Sequence, residues 1–208
     1  HRKILLGDAV RIAEHAGADL ITIHLREDRR HIQDKDALDI RQYAKVLNFE
    51  MANTVEMIQF AITLKPDFCC IVPEKREEKT TEGGLSLSSY TDKQIASLKT
   101  TITDFRNHKI KTSLFIDPDN RSIDIAKDVG ADLVELHTGK YANQFNTINE
   151  FESLEEISTA SRYAHSKDLL VNVGHGLNYE NLSEICKLDH INEVNIGHAI
   201  IAQAVFTG

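Results

Sequence analysis

The segments Lys111-Thr-Ser-Leu-Phe-Ile116, Ile123–Val129 and Asp132-Leu-Val-Glu-Leu-His-Thr138 decide the fold class of this chain. The first and third are short apolar runs, which are typical of strands, and the second has apolar residues at helical spacing. A strand, a helix and a second strand in this order predict a βαβ unit. The two strands of such a unit pair in parallel because a crossover helix joins them.

The same pattern extends in both directions from this unit. Phe68–Pro73 is an apolar run without alternation, as expected of a strand that is covered on both faces. The predicted strands are 18–25, Leu47–Ala52, Phe68–Pro73, Lys111–Ile116, Asp132–Thr138, Leu169–Val173 and Glu193–Ile200. The predicted helices are 8–16, Ala37–Leu47, Thr54–Leu64, Asp92–Asn107, Ile123–Val129, Glu150–Ser166 and Tyr179–Lys187.

Seven strands that alternate with helices fit either a doubly wound sheet or a (β/α)₈ barrel. The units recur about every 20–40 residues and no Gly-x-Gly-x-x-Gly turn is present, which favours a TIM barrel with extra helices. A helix precedes the first predicted strand, whereas an eight-stranded barrel needs one more strand. We therefore expect residues 1–208 to form a single barrel domain that is incomplete at its N-terminus and lacks the first strand.

Composition narrows the classes of function. The 208 residues are 41% apolar and carry a net charge of −8, which fits a globular protein and disfavours a general nucleic-acid binder. No window of about 18 apolar residues predicts a membrane span. The three cysteines, Cys69, Cys70 and Cys186, are too few and too irregularly spaced for a disulfide framework or a zinc site. Cys69 and Cys70 are expected to be buried thiols, and the cytoplasm is the expected compartment.

Polar residues follow the predicted strands, at the end of a barrel where catalysis takes place. His24 and Arg26 end the first strand, Glu50 lies in the second, and Glu135 with His137 lies in the fifth. Glu50 could instead form a structural ion pair with Arg26, and Glu135 could form a packed pair with His137. Four histidines at strand ends favour chemistry over packing, and they are His24, His137, His175 and His198.

Two successive strands carry the same motif, Asn172-Val-Gly-His175 and Asn195-Ile-Gly-His198. The turns after the last two strands of a barrel commonly bind phosphate, because glycine allows close approach of backbone N–H groups. The glycines could also simply turn the chain. A metal site is the less favoured alternative, since no His-x-His or His-x₃-His pair lies near the strand ends.

The residues alone thus predict a barrel enzyme with histidine and glutamate acid–base groups, an arginine for an anion and a phosphate-binding turn. Two further functions stay open on this evidence. One is a phosphosugar isomerase or epimerase that uses Glu50 and a histidine for proton transfer. The other is a catalytically silent barrel that binds a phosphorylated ligand.

Seven motifs in order, from about residue 8 to the end of the chain, resemble the pyridoxine 5′-phosphate synthase family. They are Thr22-Ile-His-Leu-Arg-Glu-Asp-Arg-Arg-His-Ile32, Asn48-Phe-Glu-Met51, Val72-Pro-Glu-Lys-Arg-Glu77, Thr80-Thr-Glu-Gly-Gly-Leu85, Glu135-Leu-His-Thr-Gly139, Val173-Gly-His-Gly-Leu177 and Asn195-Ile-Gly-His-Ala199. The resemblance implies an octameric (β/α)₈ barrel that condenses 3-amino-2-oxopropyl phosphate with 1-deoxy-D-xylulose 5-phosphate. The products are pyridoxine 5′-phosphate, phosphate and water, and neither a metal nor another cofactor is expected.

The resemblance also implies roles for individual residues. His24 and Glu50 would accept protons, His175 would donate one, and Glu135 would stabilise charge in a transition state. The residues expected to bind the two phosphorylated substrates are Arg26, His31 and Thr80 for one, and Gly176, Gly197 and His198 for the other. The intervening residues 27–30 are expected to form local ion pairs that support Arg26 and His31. Family members also carry substrate contacts on a first strand, which we expect this chain to lack.

Overall fold

A computed structural model of the chain describes residues 5–74 and 83–208. Its strands are β1 (Ile21–His24), β2 (Leu47–Met51), β3 (Phe68–Ile71), β4 (Lys111–Ile116), β5 (Leu133–His137), β6 (Leu170–Gly174) and β7 (Ile191–Asn195). Its helices are α1 (Leu6–His15), α2 (Asp34–Tyr43), α3 (Val55–Leu64), α4 (Asp92–Asn107), α5 (Asn120–Val129), α6 (Gly139–Gln144), α7 (Glu150–Ser166), α8 (Leu182–Ile185) and α9 (His198–Thr207). A short 3₁₀ helix, Leu87–Ser89, lies before α4.

The seven strands form one parallel sheet in which the spatial order follows the chain order, β1 to β7. This confirms the predicted α/β class and the TIM-barrel-like arrangement. Every residue of β5 is buried, as expected for a strand with side chains packed on both faces. The sheet curls so far that its two edge strands meet through their side chains, because Thr22 Oγ1 on β1 donates to Asn195 Oδ1 on β7 at 2.8 Å. That the chain is one barrel domain lacking its first strand stays a prediction.

Several of the predicted elements are wrong in their bounds. The strand predicted at 18–25 begins at Ile21, and the helix predicted at Ala37–Leu47 is α2, Asp34–Tyr43. The last strand ends at Asn195 rather than Ile200, because Gly197 leaves the extended conformation and α9 begins at His198. The predicted helix at residues 179–187 shortens to the four residues of α8. Its N-terminal part is replaced by side-chain bonds, since Asn178 Oδ1 accepts from the N–H groups of Glu180 and Asn181 at 2.8 and 3.1 Å. The helices α6 and α9 were not predicted.

Local sequence signals set the ends of several helices. Thr91 forms a capping box with Gln94 at the start of α4, and Asp119 Oδ1 accepts from Ser122 N–H at the start of α5. Gly130 ends α5 with φ of 89°, a left-handed conformation that glycine adopts without a steric penalty. The cap of α4 lies in the connection from β3 to β4, and the two signals of α5 lie in the connection from β4 to β5.

The main core lies between the sheet and its helices and includes fully buried Phe49, Phe105 and Tyr141. Cys69 and Cys70 are free and buried, as predicted, and burial raises the pKa of both thiols. Their thiolates are therefore disfavoured and we assign them no chemistry. Within residues 5–74 and 83–208, no helix has the length and apolar character required to cross a bilayer.

Replacing Tyr141 by Phe is expected to lower the free energy of unfolding by about 1–3 kcal/mol. The Tyr141 hydroxyl donates to the backbone oxygen of Asn181 at 2.8 Å, and both residues are buried. The variant would leave that oxygen buried without its donor. Urea unfolding checks the value, with exposed Tyr179→Phe as the control. Equal unfolding midpoints for the wild type and Tyr141→Phe would contradict the expectation.

Candidate active site

A cavity of about 810 Å³ opens beside β1 and β7 and contains most of the predicted site residues. The predicted residues that line it are His24, Arg26, His31, Glu50, Glu135, His175 and Gly197. All four proposed catalytic residues therefore face one space. The apolar side chains of Val72 and Phe115 also line it, which reduces the access of water to part of the wall.

His24 lies between two carboxylates at one end of this cavity. It is the last residue of β1 and is in register with Glu50 on β2, so the parallel pairing places the two side chains together. His24 Nδ1 is 3.6 Å from Glu50 Oε2, and His24 Nε2 is 3.0 Å from Glu74 Oε1. The second oxygen of Glu74 accepts from the Glu27 N–H at 3.0 Å.

The two carboxylates differ in their affinity for protons. Burial raises the pKa of Glu50, and the opposing effect of His24 is smaller. Burial also acts to raise the pKa of Glu74, but the hydrogen bonds from His24 and from the Glu27 N–H outweigh it, so that this pKa is lowered. Two acids with pKa values displaced in opposite directions around one imidazole are suited to moving a proton near neutral pH.

Glu135 is the most deeply buried acid of the site, with 3% of its surface exposed. Burial raises its pKa well above the ordinary value, and the nearby charges of Glu50 and Glu193 add to the effect. Asn195 Nδ2 donates to Glu135 Oε2 at 3.0 Å and partly offsets the increase. Burial therefore favours the protonated form of Glu135, which can donate a hydrogen bond to a developing negative charge.

A chain of polar side chains crosses the inside of the sheet to reach Glu135. Asn48 Nδ2 donates to Thr22 Oγ1 at 3.3 Å, and Thr22 Oγ1 donates to Asn195 Oδ1 at 2.8 Å. Asn195 then donates to Glu135. Because each group is held by the next, the carboxyl group of Glu135 has a fixed orientation in the cavity.

Replacing Gly174 by Ala is expected to reduce turnover by up to about 100-fold through displacement of Glu135. A Cβ atom at residue 174 would lie 2.2 Å from Glu135 Oε1, so the carboxyl group would have to leave its position beside Asn195. Steady-state kinetics checks this, with Leu170→Ala at the exposed start of β6 as the control. Unchanged turnover in folded Gly174→Ala would show that the orientation of Glu135 does not matter.

His175 follows β6 in a backbone conformation that is rare for a residue with a side chain, with φ of 81°. Thr138 Oγ1 lies 2.7 Å from the backbone oxygen of Gly174 and 2.6 Å from that of His175, and so holds this turn. Strained residues of this kind persist where the surrounding structure fixes them and occur often at functional sites. The imidazole of His175 faces the cavity.

Arg26 and His31 both line the cavity. Between them, Asp28, Arg29 and Arg30 form ion pairs as predicted, whereas Glu27 contacts Glu74 through its backbone N–H. Arg26 is 3% exposed and its Nε is 3.7 Å from Asp28 Oδ1. Arg30 also pairs with Asp28. Arg29 Nε donates to Asp34 Oδ2 at 2.9 Å, which ties the loop to the start of α2.

Of the remaining predicted binding residues, only Gly197 is among the described residues that line the cavity. Gly197 lines the cavity directly before α9, whose first N–H groups provide a positive end for an anion. His198 is the first residue of α9, and neither it nor Gly176 is among the described residues that line the cavity. Thr80 lies outside the described residues, and its role stays a prediction.

Sequence reasoning gave no role to four residues in and around the site, Glu74, Glu193, Asn195 and Asp117. Glu74 contacts His24 and Asn195 contacts Glu135, whereas Glu193 acts on the pKa of Glu135 through its charge and Asp117 contacts His137. Asn195 belongs to the repeated Asn-x-Gly-His motif, and its asparagine was a usable signal. In both copies this asparagine donates to a glutamate, since Asn172 Nδ2 is 3.1 Å from Glu193 Oε1. Among residues 5–74 and 83–208, no group of three or more His, Cys, Asp or Glu side chains is placed to hold a metal ion.

Comparison with known protein families shows to which family the chain belongs. Residues 6–208 match the family described as "Pyridoxal phosphate biosynthesis protein PdxJ". The chain belongs to the PdxJ family. A similar protein named pyridoxine 5′-phosphate synthase, from Thioalkalivibrio sulfidiphilus, is 48% identical over 204 residues, covering 98% of this chain and 81% of that protein. A second of the same name, from Idiomarina loihiensis, is 49% identical over 201 residues, covering 96% and 81%.

Solved structures of other enzymes share only the fold with this PdxJ-family chain. The YdjI aldolase from Escherichia coli K12 superimposes with a TM-score of 0.61 at 13% identity, covering 99% of this chain and 76% of that one. A mandelate oxidase mutant gives a TM-score of 0.59 at 13% identity, covering 97% and 62%. These similarities support the barrel-like architecture and carry no information about substrates.

Proposed function

We propose that the chain is a pyridoxine 5′-phosphate synthase of vitamin B6 biosynthesis that condenses 3-amino-2-oxopropyl phosphate with 1-deoxy-D-xylulose 5-phosphate. Membership of the PdxJ family and the names of its relatives support the activity. The observation that carries the proposal is the arrangement of His24 between Glu50 and Glu74, in one cavity with Glu135 and His175. The reaction transfers several protons, and this set of groups can accept and donate them.

The proposed roles follow from the environment of each group. Glu50 and His24 accept protons, because the raised pKa of Glu50 makes its carboxylate a better base than an exposed one. His175 donates a proton from the opposite wall of the cavity. Glu135, whose burial favours the protonated form, donates a hydrogen bond to the oxygen on which negative charge develops. No step in this scheme needs a metal or a redox cofactor.

Two phosphate groups require two cationic or N–H-rich positions. Arg26 and His31 are proposed to hold the phosphate of the deoxyxylulose substrate, with Thr80 as a further contact. Gly197, with Gly176 and His198, is proposed to hold the aminooxopropyl phosphate near the start of α9. We further propose a cytoplasmic homo-octamer, as the resemblance to the family implies, with no nucleic-acid or membrane partner.

The test is a turnover assay with both substrates, read by the absorbance of pyridoxine 5′-phosphate and by phosphate release. We expect both signals only when the two substrates are present together. An isomerase or epimerase would convert one phosphosugar alone without phosphate release. A silent binding barrel would give neither signal, and either result would contradict the proposal.

A further inference from the structure

Asp117 joins two separate elements at the end of β4 through one carboxylate oxygen. Its Oδ1 accepts from the backbone N–H of Gly84 at 3.1 Å and lies 3.2 Å from His137 Nδ1 at the end of β5. The contact at Gly84 is close, because a Cβ atom there would lie 2.3 Å from the backbone nitrogen of Asp117. Neither contact belongs to the ladder of the sheet, so both depend on the Asp117 side chain.

The Asp117 carboxylate determines which nitrogen of His137 carries the proton. The hydrogen bond from His137 lowers the pKa of Asp117, burial opposes this, and the Gly84 N–H adds to the lowering. An ionised carboxylate only accepts hydrogen bonds, so the proton must be on His137 Nδ1. His137 Nε2 is buried, and no hydrogen-bond partner is found for it within the described ranges 5–74 and 83–208. A proton carried by Nε2 alone would be buried without an acceptor in these ranges, so the hydrogen bond to Asp117 is expected to be made by Nδ1–H.

The His137 ring is packed against His175 and has little room to move. The centroids of the two rings are 5.0 Å apart, and Phe115 packs on His137 with its centroid 5.3 Å away. A Cβ atom at Gly139 would lie 2.5 Å from His137 Nε2 and 3.1 Å from His175 Cδ2. A movement of the His137 ring would therefore displace His175, which lines the cavity. His137 itself is not among the described residues that line the cavity.

We propose that Asp117 is a positioning residue of the reaction, which holds the His137 ring by its Nδ1–H against His175 and fixes the backbone at Gly84. The role in catalysis rests on the proposed function, because His175 is there the proton donor. The Asp117–His137 hydrogen bond keeps the ring that packs against His175 in one orientation.

The test combines ring ¹⁵N spectra of histidine-labelled full-length protein with steady-state kinetics. The His137 signals are assigned by their loss in His137→Gln. In the wild type we expect a protonated Nδ1 that is hydrogen-bonded to Asp117. Asp117→Ala should lose this pattern and reduce kcat by about 10- to 100-fold, the usual effect of removing a carboxylate that orients a histidine. Asp117→Asn, whose amide oxygen can still accept, should keep the tautomer and recover part of kcat. His137→Gln, which leaves the Gly84 contact intact, should lower kcat with little change in KM.

Asp119→Asn is the matched control, because Asp119 lies two residues away and caps α5, a task that Asn performs equally well. It should leave the spectrum and kcat unchanged. An unprotonated His137 Nδ1 in the wild type, or wild-type spectrum and kcat in folded Asp117→Ala, would overturn the proposal. The spectrum needs no turnover. If the wild type shows the expected tautomer but forms no product, the proposed function fails and the Asp117–His137 arrangement stands.

Discussion

Glu50→Gln is expected to reduce turnover by about 10²- to 10⁴-fold while the protein stays folded. Glu50 lies in β2 between buried Phe49 and Met51, and its carboxylate is 3.6 Å from His24 Nδ1. The amide has the same shape but cannot accept a proton in the working pH range. Because burial already disfavours the charge of Glu50, removal of that charge should cost little stability.

Glu56→Gln is the matched control for this variant. Glu56 is largely exposed on α3 and pairs with Arg29 outside the cavity. Its replacement should leave turnover within about twofold, because exposed ion pairs contribute at most about 1 kcal/mol. Circular dichroism and thermal unfolding of both variants check that the fold is kept. Turnover of Glu50→Gln close to that of the wild type would rule out Glu50 as the base and would favour a binding role for the cavity.

Glu135→Gln is expected to change activity and stability in opposite directions. Turnover should fall by about 10²- to 10³-fold, because the amide is a weaker hydrogen-bond donor to developing charge than the carboxylic acid. The free energy of unfolding should rise relative to the wild type as pH increases. In the wild type the pKa of Glu135 is raised well above 4.5, so the native state holds a proton that the unfolded state has released.

The pH dependence follows from this difference in bound protons. The wild type keeps the full contribution of protonated Glu135 below the unfolded pKa and loses it as the pH rises towards the folded pKa. The loss approaches about 1.4 kcal/mol per pH unit for one group, and Glu135→Gln does not share it. Urea unfolding of both proteins between pH 5 and 8 measures the difference. Exposed Glu155→Gln on α7 should show a difference that does not change with pH. A flat difference for Glu135→Gln as well would mean that Glu135 is ionised in the native state.

The apolar runs were sufficient to predict the seven strands, because a buried parallel strand requires such a run whatever its neighbours are. Helix ends were harder to predict where side chains compete for backbone groups, as Asn178 does before α8. The histidines and glutamates at strand ends were visible because barrel chemistry is confined to those ends. Glu74 was visible as a polar residue after a strand, but its contact with His24 depends on how β1 and β3 are placed on either side of β2.

Asp117 illustrates a different limit of sequence reasoning. It stands in the run Asp117-Pro-Asp-Asn120, which has the composition of an ordinary turn. Its importance comes from Gly84 and His137, which approach it from other parts of the chain. A single sequence contains no signal for contacts between residues so far apart along the chain. The repeated motif of Asn172 and Asn195 did contain such a signal, because the side chains of both asparagines donate a hydrogen bond to a glutamate.

The chain order of the strands has a consequence for how the site is assembled during folding. Each backbone pairing joins consecutive strands, so the loops to be closed are short and the sheet can grow one unit at a time. The bond between Thr22 and Asn195 spans 173 residues and therefore requires the two ends of the sheet to meet. Asn195 also orients Glu135. We therefore expect catalytic competence to be acquired late in folding, after most secondary structure has formed, so that nascent or truncated chains would be compact and inactive.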